Sequence, residues 1–171
     1  MKLLIAYTSK NGVAKKCAEM LGEELPNTIK YDLVDLLEKP PVLDDYDAVV
    51  LGGSIHMETL HKKLKKFMRI NKARLSSLPC ALFICCGLPH RYEEYAEICS
   101  PRKLIFSLGV HHFGGELKSE KVKGLDKIIV RSLRSSITNA DFEDEDAIEL
   151  SLPEIIPENI KLLAEAIKNI Q

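Results

Sequence analysis

The chain has 171 residues, 46% of them apolar and 29% charged, with a formal net charge of −1. That size and balance suit a globular protein with a sizeable core, and residues 1–171 are expected to form a single domain. The near-neutral charge removes the general pull toward nucleic acid that a basic chain exerts, and no apolar run reaches the roughly 18 residues of a membrane span. The first apolar stretch, Leu3-Leu4-Ile5-Ala6-Tyr7, is too short for a signal peptide. It reads as a strand over 2–7, and the protein is therefore expected in the cytoplasm. A small polar loop, Thr8-Ser9-Lys10-Asn11-Gly12, leads into a helix over 13–25. Ala14, Cys17, Ala18, Leu21 and Leu25 share one face of that helix, and Pro26 closes it. A second strand is expected near 28–33, before a loop at Pro40-Pro41.

Residues 46–53, Tyr-Asp-Ala-Val-Val-Leu-Gly-Gly, read as a buried strand ending in two glycines. Continuous apolarity is what a strand covered on both faces requires. The loop Ser54-Ile55-His56-Met57-Glu58 follows, then a helix over 59–71 with Leu60, Leu64, Phe67 and Met68 at helical spacing. Its other face is basic, with Lys62, Lys63, Lys65, Lys66 and Arg69. A fourth strand is expected over 79–86, turned by Gly87-Leu88-Pro89-His90. A helix over 91–107 is kinked or broken at Pro101, and a fifth strand covers 110–117. A helical segment over 124–135, an acidic loop over 139–146 and a last helix over 158–170, just after Pro157, complete the chain. Strands alternating with helices point to an α/β architecture with a parallel sheet.

In such a sheet ligands sit beyond the carboxyl ends of the strands. Three loops fall there: 8–14, 53–58 and 86–92. A strand, a small polar loop and a helix together hold a phosphate well, because the first N–H groups of the helix and its dipole face the anion. Thr8, Ser9 and Asn11 add side-chain donors, and Gly12 permits a positive φ. The loop is not a Walker loop, since Val13-Ala14 follows Gly12, and it holds too few glycines for the dinucleotide fingerprint. The other two loops are placed to flank a flat ring. A backbone amide at Gly53 or Gly87 can re-aim cheaply, because neither residue carries a Cβ.

Five cysteines, Cys17, Cys80, Cys85, Cys86 and Cys99, include no Cys-x-x-Cys pair and read as reduced, mostly buried thiols. Cys85 and Cys86 alternate faces of a strand and are poorly placed to bridge each other; Cys86, at the strand end, is the one to touch a ring. The spacings of His56, His61, His90, His111 and His112 give no metal-ligand set, so no metal is expected. The basic run over 62–74 reads first as a solvated helix face and second as a dock for an acidic partner or an anionic surface. The segment 124–135 reads as packing against the domain, with peripheral membrane contact the lesser alternative.

Three stretches together resemble the flavodoxin family: Leu4-Ile5-Ala6-Tyr7-Thr8-Ser9-Lys10-Asn11-Gly12, the third strand with its loop from Tyr46 to Ile55, and Cys86-Gly87-Leu88-Pro89. Gly52-Gly53-Ser54-Ile55-His56 before a basic helix, with an insertion near 118–146, is most similar to the flavodoxin-type, menaquinone-dependent protoporphyrinogen dehydrogenases and their uncharacterised relatives. The resemblance implies a three-layer α/β sandwich with a five-stranded parallel sheet of order 2-1-3-4-5, a C-terminal insertion and an extra helix. It implies FMN held non-covalently. Thr8, Ser9, Lys10, Asn11, Gly12, Val13 and Ala14 would hold its phosphate. Ser54, Ile55, His56 and Met57 would flank the ring on one side, and Cys86, Gly87, Leu88, Pro89 and Tyr92 on the other. The family often carries a hydroxyl residue where Ala14 stands, and the chain has no Trp to stack on the ring. Stacking then falls to Tyr92, His56 or Met57.

The implied function is FMN-dependent electron transfer, by a carrier or a small oxidoreductase whose partner is a redox protein or a quinone. One alternative is a protoporphyrinogen dehydrogenase passing electrons to a quinone. Another, of a different class, is a cofactor-free scaffold of the same fold that binds partners; the oligomeric state stays open under every reading, a homodimer being one option. A phosphoryl-receiver domain is disfavoured, because the third strand ends in Leu51-Gly52-Gly53 where that chemistry needs an aspartate.

Overall fold

A computed structural model of the chain describes residues 1–56, 58–87, 91–99, 101, 104–115 and 154–170. The chain divides into two units, Met1–Glu116 with Pro153–Gln171 and Leu117–Leu152, and every described residue lies in the first. The helical segment expected over 124–135, the acidic loop and the insertion near 118–146 lie outside the described residues, as do Met57, Leu88, Pro89 and His90.

Five parallel strands form the sheet: β1 (Lys2–Thr8), β2 (Lys30–Asp35), β3 (Ala48–Ser54), β4 (Cys80–Cys85) and β5 (Val110–His112). Their order is β2-β1-β3-β4-β5, as the resemblance implied. The helices are α1 (Val13–Glu23), α2 (Lys62–Ile70), α3 (Lys72–Ser76), α4 (Tyr92–Cys99) and α5 (Pro157–Lys168). The central strands β1, β3 and β4 are buried almost throughout, which explains their unbroken apolar runs. Alternate residues feed two cores. Leu3, Ile5 and Val50 join α1 and α5 on one face, while Leu4, Ala6 and Leu51 join α2 and α4 on the other. Each fully buried Leu or Phe contributes about 1.5–3 kcal/mol over an exposed one. Cys85 and Cys86 do take opposite faces. Cys85 Sγ lies 3.6 Å from Cys17 Sγ, and the hydrogen bond to Cys17, then burial, hold its thiol protonated well above the usual range.

Gly52 is required by packing. A Cβ there would meet the Phe83 ring at 1.9 Å, and that ring is stacked on Phe113 with centroids 4.6 Å apart and planes at 10°. Gly53 sits inside the ladder between Thr8 and Ile84, so its peptide is not free to re-aim as its glycine identity suggested.

Several boundaries differ from the periodicity. β2 runs two residues later than expected. α2 starts at Lys62, not 59, because His56 and Thr59 exchange backbone hydrogen bonds at 3.0 and 3.3 Å in a tight turn. His61 then caps the helix, its Nδ1 accepting the Lys63 N–H at 3.3 Å. The helix expected over 91–107 ends at Cys99. The break offered at Pro101 falls there, since proline has no N–H to continue the helical ladder, and Leu104 N–H donates back to the Pro101 carbonyl at 3.0 Å. The fifth strand expected over 110–117 stops at His112. Gly114 turns the chain at φ 76°, and the returning backbone at 154–156 pairs there instead, with Ile156 N–H on Phe113 O at 3.0 Å and Gly115 N–H on Glu154 O at 3.1 Å.

Among the described residues, no helix is long and apolar enough to cross a membrane.

Candidate functional site

The ends of β1, β3 and β4 lie side by side, Thr8 opposite Gly53 and Ser54 opposite Cys85. That register brings the loops starting at Thr8, Ser54 and Cys86 to one edge of the sheet, as parallel strands of matched length must.

The first loop is built from backbone. Gly12 takes φ 88° and ψ −15°, a left-handed conformation that costs a residue with a Cβ roughly 1–2 kcal/mol. This turn delivers the chain into α1, whose first helical bond runs from Lys16 N–H to Gly12 O at 2.9 Å. The N–H groups of Val13 and Ala14 have no acceptor among the described residues, as expected of a first turn. Ser9 Oγ accepts the Lys15 N–H at 3.2 Å, which leaves its own O–H free to donate outward. Thr8 is only 3% exposed, and its Oγ1 has no hydrogen-bond partner among the described residues. Lys10 and Asn11 are exposed, while Ala14 is fully buried in the core shared with α1.

The corner around this loop is positive. Burial first, then the charges of Lys10, Lys62 and Lys63, hold the His61 imidazole below its usual pKa. Lys10 of the loop and the start of α2 therefore share one field, opposed only in part by Asp35. Neither α1 nor α2 has an acidic residue in its first turn. Lysines at a helix N-terminus oppose the dipole, so Lys62 and Lys63 weaken α2 while strengthening any anion site beside it.

The other two loops are held by a backbone bond to β4 and by side chains. Ile55 N–H donates to Cys85 O at 2.9 Å, which fixes the start of the 54–59 loop. Glu58 stands at φ 63°, unusual for a residue with a side chain. Arg91 ties this loop to the next: its Nη1 donates to Glu58 Oε1 at 2.8 Å, while Nε and Nη2 donate to the two Glu94 oxygens at 3.0 Å each. Its guanidinium also lies over the Tyr95 ring, 4.9 Å from the centroid. Glu94 first, and Glu58 second, hold Arg91 in its charged form.

His112, from the end of β5, reaches the same place. Its Nε2 lies 3.1 Å from Cys86 O and 3.5 Å from Cys86 Sγ. Tyr92 stacks on His112 with centroids 5.0 Å apart and planes at 25°. Tyr92, expected to stack on a ring ligand, thus has one face taken by His112. Burial raises its phenol pKa.

Of the residues expected at the site, Thr8 to Ala14, Ser54, Ile55, His56, Cys86, Gly87 and Tyr92 lie on these three loops or their flanks; Met57, Leu88 and Pro89 lie outside the described residues. Sequence reasoning missed Glu58, Arg91 and His112. His112 carried a readable signal, its place at the carboxyl end of a parallel strand. The Glu58–Arg91 pair spans 33 positions, a separation no local pattern encodes.

The Flavodoxin domain family model matches residues 4–144. Protoporphyrinogen IX dehydrogenase (quinone) of Escherichia coli strain K12 is 31% identical over 85 residues, 48% of this chain and 47% of that protein; the same enzyme from Escherichia coli O157:H7 matches equally. The chain thus spans about half the length of the curated relatives it matches. Among solved structures, the apo form of the NADH:FMN oxidoreductase EMOB has a TM-score of 0.50 at 12% identity, covering 84% of this chain and 91% of that one. The flavodiiron protein of Giardia intestinalis has a TM-score of 0.50 at 14% identity, covering 82% of this chain and 38% of that one. At such identities the likeness is one of fold, and it agrees with the strand order found here. With the family match running over most of its length, the chain belongs to the flavodoxin domain family.

Proposed function

We propose that this protein binds FMN non-covalently across the three loops and works as a cytoplasmic electron carrier or small oxidoreductase, with a redox protein or a quinone as partner. The observation that carries this reading is Thr8 Oγ1, buried and without a hydrogen-bond partner among the described residues, at the start of a loop whose first helical N–H groups have no acceptor there either. A buried hydroxyl left unpaired costs free energy that a ligand oxygen would recover. The residues present fit a phosphate monoester. Val13 and Ala14 offer N–H groups, Ser9 and Thr8 offer O–H groups, Asn11 an amide and Lys10 a charge. Ala14 supplies no hydroxyl, which weakens phosphate binding by about 1 kcal/mol relative to a loop that has one. FMN supplies the redox chemistry, and the chain supplies position and electrostatics. Cys86, Gly87 and Tyr92 on one side, and Ser54, Ile55 and His56 on the other, would bound the ring.

The test is the absorbance spectrum of the purified protein, followed by titration with FMN. Thr8→Val should leave the apo protein as stable as wild type or more so, because it removes an unpaired hydroxyl, yet weaken FMN binding about fivefold to tenfold. A colourless protein that takes up no FMN would overturn the reading.

A second reading is a protoporphyrinogen dehydrogenase that passes electrons to a quinone, favoured by the 31% identity with the Escherichia coli enzyme. Turnover of protoporphyrinogen with menaquinone as acceptor separates it from a carrier.

A further inference from the structure

We infer that His112 is a positioning residue: it clamps the Cys86 carbonyl so that the Gly87 N–H is presented to a ligand ring. The inference rests on the FMN reading for what that N–H meets, but the clamp itself stands on geometry. A carbonyl only accepts hydrogen bonds, so a hydrogen bond across the 3.1 Å between His112 Nε2 and Cys86 O puts the proton on Nε2, whereas the Nδ1–H tautomer would leave Nε2 to accept from the Cys86 thiol 3.5 Å away. The peptide is trans, so the Gly87 N–H points away from the clamped oxygen. Gly87 is exposed, and its N–H has no acceptor among the described residues.

Three further contacts fix this arrangement. Tyr92 backs the imidazole by stacking on it. Asn159 Nδ2, from the first turn of α5, donates to the His112 carbonyl at 2.7 Å. Gly115 lies flat on the clamped peptide: a Cβ there would come within 3.0 Å of both Cys86 C and Gly87 N. The short β5 makes this possible. The sheet ladder stops at His112, and side chain and glycine take over where backbone pairing ends. The clamp also opposes re-aiming of the Cys86–Gly87 peptide, so Gly87 is a fixed donor.

Nitrogen-15 NMR of the imidazoles in the apo protein tests the clamp without FMN, and two variants test its use. His112→Phe keeps a ring against Tyr92 but removes the donor. His112→Gln places an amide N–H at nearly the position of Nε2. Wild type should show His112 as the Nε2–H tautomer with a proton protected from exchange. His112→Phe should shift the Gly87 amide signal, weaken FMN binding about fivefold to tenfold, and shift the reduction potential of the bound flavin; His112→Gln should restore most of all three. An Nδ1–H tautomer in wild type would overturn the inference, as would a His112→Phe variant with wild-type Gly87 signal and potential, or a His112→Gln variant as impaired as His112→Phe. If His112→Phe does not fold, the wild-type tautomer and the Gly87 signal of His112→Gln decide. A wild type that shows the Nε2–H tautomer and takes up no FMN would sink the FMN reading and leave the clamp standing.

Discussion

The loop over 8–14 and the pair of loops at 54–59 and 86–92 sit on the same sheet edge and are built in opposite ways. The first is local. Seven consecutive residues, one left-handed glycine and the start of a helix supply its donors, and its internal hydrogen bonds span only four to six positions. The second is assembled at long range. Arg91 reaches back 33 residues to Glu58, and His112 reaches back 26 to Cys86. A local loop keeps its shape as long as its own backbone can adopt it. An assembled site keeps its shape only while distant elements stay in register, so it is the more sensitive to packing beneath it.

The sharpest test of that contrast lies under the ring loops. Gly52→Ala drives a Cβ into the Phe83 ring and through it against Phe113. It should cost about 3 kcal/mol and lower Tm by roughly 10 °C, measured by calorimetry. An unchanged Tm would mean that the sheet under these loops yields far more easily than its packing implies.

Gly12→Ala should do less to the fold. Nothing lies within 4 Å of the added Cβ, so the penalty is backbone strain alone, about 1–2 kcal/mol in urea unfolding. Its larger effect should be on FMN binding, because the strain falls on the turn that aims the first N–H groups of α1. If Gly12→Ala lowers stability more than Gly52→Ala, the division into a backbone-built and a packing-built region is wrong.

Arg91→Gln should leave Tm unchanged, since its partners are exposed. It should instead speed hydrogen exchange at residues 58 and 59 and quicken FMN release. High salt should reproduce part of that effect in wild type and little of it in the variant.

The smallest effect concerns the corner joining Lys10 to α2. The folded-state pKa of His61 lies below its unfolded value, so the unfolded chain takes up the proton first as pH falls. Stability from this group is whole at neutral pH and declines as pH drops through the ordinary histidine value near 6.5. Wild type should lose less than about 1 kcal/mol more than His61→Asn between pH 7.5 and 5.5, because His61 is partly exposed and Asn caps without titrating. Equal losses would mean that neither burial nor the charges of Lys10, Lys62 and Lys63 hold the His61 imidazole below its usual pKa.

The legible features were those set by near neighbours. Buried runs at 2–7, 46–53 and 79–86 announced the central strands, since a strand covered on both faces has no polar side to show. Gly12 announced the turn, since few other residues accept its φ. The resemblance supplied the strand order. Residues whose partners lie far along the chain were read less well. Tyr92 looked like a free stacking surface because nothing near it in sequence reveals His112. Gly53 looked mobile because its place between Thr8 and Ile84 appears only once three strands are laid side by side. Gly52 read as the end of a buried strand, while its need for Phe83 is a matter of sheet register.

By itself the sequence determined the alternation of strands and helices, the polar loop that opens α1 and the apolar faces that bury against the sheet. Each rests on periodicity or on the conformational reach of one residue. Only the tertiary structure decided where β5 stops, which side chains join the two outer loops, and which histidine meets the Cys86 carbonyl. Those outcomes depend on groups brought together by closing loops of tens of residues, and the entropy of that closure is repaid by the whole core, not by any contact a local pattern records.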